Sequence, residues 1–301
     1  MSIQRVAVIG LGLLGGSIGL ALAKHCPDII TTGYDADPST REAARARKLV
    51  GTVFDSAAAS VAQADLVILC VPVGAMAFAA EAIRDALPTG AIVSDVGSSK
   101  QSVVESLQAA FPGYTVIPAH PVAGTEQSGP EAGFAELFEH RWCILTPPEG
   151  TPDEKIAQLS AMWERLGSKI EIMDAAHHDL VLAVTSHIPH LIAYTIVGTA
   201  SDLEDVTRSE VIKYSAGGFR DFTRIAASDP TMWRDVFLNN KDAVLEMLGR
   251  FTEDLTALQR AIRRGDGDAL HELFTRTRAI RRSIIEQGQD DARPDFGRAD
   301  H

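Results

Sequence analysis

A chain of 301 residues, 46% hydrophobic and 23% charged, is long enough to bury a large core as one large domain or two. Its 40 acidic against 28 basic residues give a net charge of −12, which repels nucleic acid and anionic lipid and argues against both as partners. No apolar run is read as approaching the roughly 20 residues of a bilayer span, and the N-terminus lacks a charged-then-apolar leader, so a cytoplasmic protein is expected.

In chain order, the first predicted strand, RVAVIG, runs into GLGLLGGS. This places Gly10, Gly12 and Gly15 in a G-x-G-x-x-G pattern between a strand and an apolar helix opened by Leu13 and Leu14. Gly10 permits the tight turn, Gly12 lets backbone approach a pyrophosphate, and Gly15 lets the helix pack close to the sheet. The second strand, IITTGYD, ends at Asp35, about twenty residues past Gly15, where a carboxylate accepts bonds from an adenosine ribose and repels a 2′-phosphate. NAD is therefore expected over NADP. Asp37, followed by proline, reads instead as a helix N-cap.

The run DLVILCVP is apolar on consecutive positions, as a central strand covered on both faces should be; Val71 and Pro72 at its end join the expected cofactor-lining set. AIVSDVG, YTVIPAH, WCILTP and KIEIMD continue the alternation of strands with helical patterns, which predicts a doubly wound parallel sheet over 1–174. KIEIMD is expected to be its last strand. From 175 to 287 only helical periodicity remains, in HHDLVLAVTSHIPHLIAYTIVGTA and MWRDVFLNNKDAVLEMLGRFTEDLTALQRAI, so an all-helical domain is expected there. Residues 288–301 are polar and read as a disordered tail. Cys26, Cys70 and Cys143 show no C-x-x-C spacing and are read as reduced, mostly buried thiols.

Two loops follow C-terminal strand ends, the edge at which such sheets bind ligands: SDVGSSK at 94–100 and AHPVAGTEQSG at 119–129. His120, between a strand and Pro121, suits proton acceptance at neutral pH or simply caps the strand end. His187 and His190, three positions apart, share a helical face. The absence of a third ligand beside them argues against a metal pair, and Pro189 between them kinks or starts the helix. Further on, Arg220, Asp221 and Arg224 form either a surface network or a carboxylate grip, arginine being shaped for two parallel bonds to a carboxylate.

GLGLLGGS, DVGSSK, HPVAGTEQSG, TSHIPH and GGFRDFTRIAASDPTMWRDV, in this order, resemble the prephenate/arogenate dehydrogenases of tyrosine biosynthesis over about residues 3 to 285. The resemblance implies an oxidative decarboxylation in which a hydride leaves the hydroxyl-bearing ring carbon for NAD, carbon dioxide departs and the ring becomes aromatic. It implies that His120 accepts the ring hydroxyl proton and that Ser98 orients His120, with Ser99 as rival. It places Thr125 and Glu126 on a loop covering the substrate, His190 on the substrate side chain with His187 less firmly assigned, Arg224 on a carboxylate, and Trp233 as a pocket wall. A homodimer through the helical domain is expected both from the resemblance and from apolar residues on more than one helix face. A β-hydroxyacid dehydrogenase would lean on a lysine of the helical half, Lys213 or Lys241, and leave His120 idle. A non-catalytic NAD sensor would not need Ser98, His120 and Arg224 together. With no regulatory domain evident, any tyrosine inhibition is expected to act at the active site.

Overall fold

The computed structural model describes residues 3–202 and 217–286; the expected tail and Lys213 lie outside them. Six parallel strands, β1 (Arg5–Ile9), β2 (Ile30–Tyr34), β3 (Thr52–Val53), β4 (Leu66–Leu69), β5 (Ile92–Asp95) and β6 (Thr115–Val116), form a sheet of order β3-β2-β1-β4-β5-β6. The order reverses direction between β1 and β4, the crevice at which a doubly wound sheet receives a dinucleotide. Successive residues of β1 serve opposite faces. Val6 and Val8 join Ile18, Leu22, Phe138 and Trp163 in one core, whereas Ala7 and Ile9 join Val67, Leu69, Met76 and Ile83 in the other. All of β4 is fully buried, which is why its sequence is apolar at every position rather than every second one.

Flanking helices follow the local chemistry of their ends. α1 (Leu13–His25) starts at Gly12, and α2 (Pro38–Arg47) starts at Asp37, whose carboxylate accepts the Ser39 and Thr40 N–H groups. α3 (Ala57–Val61), α4 (Met76–Ile83), α5 (Gln101–Ala110) and α6 (Asp153–Arg165) complete the layers.

The segment YTVIPAH does not form a single strand. β6 ends at Val116, the Ile117 N–H still bonds to Val93 of β5, and then the chain crosses into a second sheet as β7 (Ala119–Pro121). Pro118 accounts for the break, since it has no N–H to continue a ladder. The next donor, Ala119 N–H, bonds to the Asp95 carboxylate at 3.1 Å instead of to a strand carbonyl. The second sheet, β7-β8-β9, includes β8 (Trp142–Leu145), antiparallel to β7, and β9 (Lys169–Ile172), parallel to β8. WCILTP and KIEIMD are thus strands, as expected, but belong to this smaller mixed sheet and do not extend the large one.

The helical region opens with α7 (Ala175–Leu182), passes through one π turn (Ala183–His187), and continues as α8 (Ile188–Asp202). Pro189 cannot donate to the preceding turn, and widening the helix by one residue accommodates the missing bond. This continuous run, 175–202, is long and apolar enough by composition to cross a bilayer, with a hydropathy of 1.6, contrary to the expectation that no such run exists. Its N-terminal half nevertheless buries His178, Asp179 and His187, with Asp179 bonded to backbone of α5, as a helix packed on a protein interior does. α9 (Gly217–Thr223), a 3₁₀ turn at Arg224–Ala227 and α10 (Pro230–Asn239) follow; α10 is capped by Asp229, which accepts the Met232 N–H at 2.8 Å.

The chain divides into two compact units, residues 1–245 and 246–301. α11 (Lys241–Arg264) runs across that division, and the second unit holds its remainder and α12 (Gly267–Glu286). Between these helices Gly265 turns the chain with φ of +67°, which glycine adopts without a Cβ penalty. The three cysteines are free, Cys26 and Cys143 buried and Cys70 half-buried, and burial raises each thiol above its ordinary range.

Candidate active site

The glycine loop has the shape its pattern predicts. Gly10 has φ of +96°, and a Cβ there would meet the Cys70 carbonyl oxygen at 2.3 Å; a Cβ on Gly15 would meet the Gly10 carbonyl at 1.8 Å. At Gly12, by contrast, a Cβ would find nothing within 4 Å. That open side lies at the N-terminus of α1, where no side chain caps the N–H groups and no acidic residue occupies the first turn. Unpaired helix N–H groups beside open space suit a diphosphate. Leu13 and Leu14 form this first turn, and Val71, whose Cγ1 would lie 3.2 Å from a Gly10 Cβ, borders the loop beside Pro72.

Asp35 accepts the Leu11 N–H on Oδ2 at 2.8 Å and the Asp37 N–H on Oδ1 at 2.9 Å. Each oxygen retains a lone pair for a ribose hydroxyl. The arrangement therefore fits NAD. Arg41 donates to the Asp35 carbonyl oxygen at 2.8 Å and pairs with Asp55 at 3.1 Å. Asp35→Ser should accordingly raise the NADP-to-NAD ratio of kcat/KM by about tenfold or more, since relieving about 1.4 kcal/mol of like-charge repulsion already amounts to tenfold. The ratio comes from initial rates with each cofactor, and efficient NADP use by the unmodified protein would refute this role for Asp35.

His120 stands on β7 at the C-terminal edge of the large sheet, and its backbone is held from both sides. Asp95 accepts the Ala119 N–H at 3.1 Å, while Lys100 Nζ donates to the Ala119 carbonyl at 2.8 Å and to Asp95 Oδ2 at 2.5 Å. Asp95 and Lys100 are fully buried. Burial pushes the Asp95 carboxyl up and the Lys100 ammonium down, and each charge opposes the shift of the other. The His120 ring is held too, by an Nδ1···Nε2 contact of 2.9 Å with His178. His178 Nδ1 in turn lies 2.8 Å from Asp179 Oδ1. Burial, followed by His178, Lys100 and His187, holds the His120 imidazole well below its ordinary value, so it is a neutral base at neutral pH.

Ser98 is half-buried; Ser99 is fully buried, and its hydroxyl has no hydrogen-bond partner among the described residues. Glu126 and Arg224, 98 positions apart, meet with Arg224 Nη1 donating to Glu126 Oε2 at 3.0 Å. Arg220 and Asp221 pair only with marginal geometry at 3.5 Å and are exposed. The Thr125 hydroxyl accepts the Gln127 N–H at 3.1 Å and shapes the loop that carries Glu126.

The two histidines after the π turn differ. His190 stacks on Trp233 at 3.6 Å between ring centres, and its Nδ1 donates to the Ser186 carbonyl at 2.9 Å. His187 is fully buried, and its Nδ1 accepts from the Asn240 amide at 3.0 Å. Burial pushes its pKa down to about 4. His187 is thus wrapped in protein, whereas His190 presents a half-buried ring. α10, which carries Trp233, packs on the loop after β4: a Cβ at Gly74 would come within 2.6 Å of Asp235 Oδ2. This contact brings the helical residues to the edge at which the cofactor loop opens.

Asp95, Lys100, His178, Asp179 and Asn240 were not singled out by their sequence context. The first two lie within SDVGSSK and the next two within HHDLV, but local spacing gives no sign that they converge.

Two family models cover the chain, one described as the nucleotide-binding domain of prephenate dehydrogenase over residues 18–172 and one as its dimerization domain over 174–276. A curated relative, the cyclohexadienyl dehydrogenase of Zymomonas mobilis, is 46% identical over 281 residues, 93% of this chain and 96% of its own. Among solved structures, Aquifex aeolicus prephenate dehydrogenase in complex with hydroxyphenyl propionate and NAD+ superposes with a TM-score of 0.88 at 33% identity, covering 94% of this chain and 99% of that one. Synechocystis arogenate dehydrogenase gives a TM-score of 0.79 at 28% identity, covering 93% and 100%. With a glycine loop, an acid-terminated second strand and an edge histidine in place, and relatives matching along almost its whole length, the chain belongs to the prephenate dehydrogenase family.

Proposed function

We propose that this NAD-dependent dehydrogenase acts on prephenate, arogenate or both, with His120 taking the proton of the ring hydroxyl. The observation that carries the reading is a neutral, doubly anchored imidazole at the C-terminal sheet edge, one nitrogen already committed to His178. NAD, when bound, supplies the hydride acceptor. The protein's own task is to place the hydroxyl-bearing carbon and to draw off its proton as the carbon–oxygen bond gains carbonyl character. Loss of the ring carboxylate as carbon dioxide leaves its bonding electrons in the ring, and aromatisation supplies the driving force.

Arg224 takes a substrate carboxylate, aided by its placement on a turn facing the Glu126 loop. Trp233 and His190 form a stacked wall for the side chain, and Thr125 shapes the covering loop. Of the two serines, Ser98 is half-buried while Ser99 is fully buried, and Ser98 is the one that orients His120. His187 acts beneath the pocket wall. Purified protein mixed with NAD and, separately, prephenate, arogenate and a 3-hydroxy acid should form NADH with one or both of the first two. NADH formed with the 3-hydroxy acid alone would overturn the reading. Among the described residues of the helical region, Lys241 is exposed and offers no buried lysine for that alternative chemistry.

We infer that the helical region forms the dimer and that the protein works in the cytoplasm. In the second unit, Leu255, Ile262, Phe274 and Ile280 are each about half exposed or more, an apolar surface that a partner subunit would cover. Light scattering at micromolar concentration should give twice the chain mass of 32.3 kDa; a monomeric mass would refute the dimer.

A further inference from the structure

We propose that His178 and Asp179 are positioning residues for the proton transfer: Asp179 fixes the tautomer of His178, and His178 fixes that of His120, leaving the His120 Nε2 lone pair for the substrate hydroxyl. The inference rests on reading His120 as the proton acceptor and extends it to groups the substrate does not touch.

The tautomers follow from donors and acceptors alone. Asp179 Oδ1 accepts the Lys100 N–H at 2.7 Å, and Oδ2 accepts the Gln101 N–H at 2.9 Å, so this carboxylate acts as an acceptor. His178 Nδ1, 2.8 Å from the same Oδ1, must then carry a hydrogen. Burial is the largest influence on His178 and lowers its pKa, so the ring holds one hydrogen and its Nε2 is a lone pair. His120 Nδ1, 2.9 Å from that Nε2, must donate. A neutral His120 with its hydrogen on Nδ1 has an unprotonated Nε2, the form a base requires.

The same chain of bonds favours the product of the transfer. When His120 Nε2 gains the hydroxyl proton, the ring becomes an imidazolium, and its Nδ1–H bond to His178 becomes charge-assisted. His178 is polarised by Asp179, so the three groups strengthen together. The gain exists only once the proton moves, which places it in kcat rather than in KM. Other charged or titratable groups facing the ring are Lys100 from the start of α5, Asp95 from β5 and His187 from the π turn. All of them sit in the same buried layer. Asp179 also receives an Asn240 side-chain N–H on its backbone carbonyl at 2.8 Å, which ties α7 to the end of α10 and limits drift of the pair.

Asp179 also caps the first N–H groups of α5, so the test is made at His178. His178→Ala should lower kcat by about 10–100-fold, the worth of one hydrogen bond to a charged group, with KM and NADH affinity little changed. His178→Gln, whose amide oxygen can accept from His120 Nδ1–H, should recover part of the loss. In a double-mutant cycle with His120→Asn, the His178→Ala change should cost almost nothing further, because its partner is gone. If His178→Ala keeps normal kcat while His120→Asn is slow, or if it costs the same factor in both backgrounds, the positioning role is refuted. Near-normal kcat in His120→Asn alone would instead overturn the base assignment on which it rests. Nitrogen-15 NMR of the unmodified protein tests the geometry without mutation: both rings should carry their hydrogen on Nδ1 at neutral pH, and an Nε2–H tautomer at His120 would refute the proposal.

Discussion

His120→Asn should lower kcat by about 10²–10⁴-fold, the usual cost of losing a general base, while KM for the substrate and the affinity for NAD change little. Asparagine keeps a polar group of similar length but cannot take a proton at neutral pH. Because Asp95 and Lys100 grip the N–H and carbonyl of the neighbouring Ala119, the substitution should leave the sheet junction intact, which thermal melting can verify. The unmodified protein should also show a distinctive pH profile. With His120 held well below 6.5, chiefly by burial, kcat/KM should stay level as pH falls to about 6.5 and decline only at more acidic values. Steady-state kinetics across pH would measure this. A variant that retained near-normal kcat would remove His120 from the chemistry.

Arg224→Ala should raise KM strongly, by about 10–100-fold for one charge-assisted anchor, with a smaller fall in kcat if the ring is then misaligned. Two effects act in the same direction. The substrate loses a cation, and Glu126 loses the guanidinium 3.0 Å from its carboxylate, so an anion enters a pocket that has become more negative. Replacing Glu126 by Gln in the Arg224→Ala background should therefore recover part of the KM increase. The Arg224 side chain is 38% exposed, and a partly solvated pair of this kind contributes little to folding; stability should barely change. Initial rates over a range of substrate concentration separate the two parameters, and an unchanged KM would remove Arg224 from the carboxylate site.

What was legible in the sequence was whatever local spacing determines. The glycine loop, Asp35, the Asp37 cap and the buried central strand each announce themselves within a few residues, because a turn, a cap or a strand face is decided by neighbours. The division of YTVIPAH between two sheets was not legible. Pro118 signals that a ladder must stop, but not that the Asp95 carboxylate waits to take the next N–H. The layer beneath His120 was hidden for a similar reason: Lys100 meets Asp95 through its ammonium and Asp179 through its backbone N–H only once the chain has folded, and His178 lies 58 positions from the ring it contacts. Glu126 and Arg224 were each visible as charged residues in suggestive segments, yet only the fold shows that they face one another.

The π turn at Ala183–His187 bears on any attempt to make this protein sturdier. An extra residue in one turn rotates everything beyond it by about 100° relative to an unbroken α-helix, so the stacking of His190 on Trp233 exists in phase with that insertion. Deleting one residue of the turn would remove the widening that accommodates Pro189, and it would also shift His190 round the cylinder. The irregularity works as a register mark: improvements in helical stability here trade against the alignment of the pocket wall.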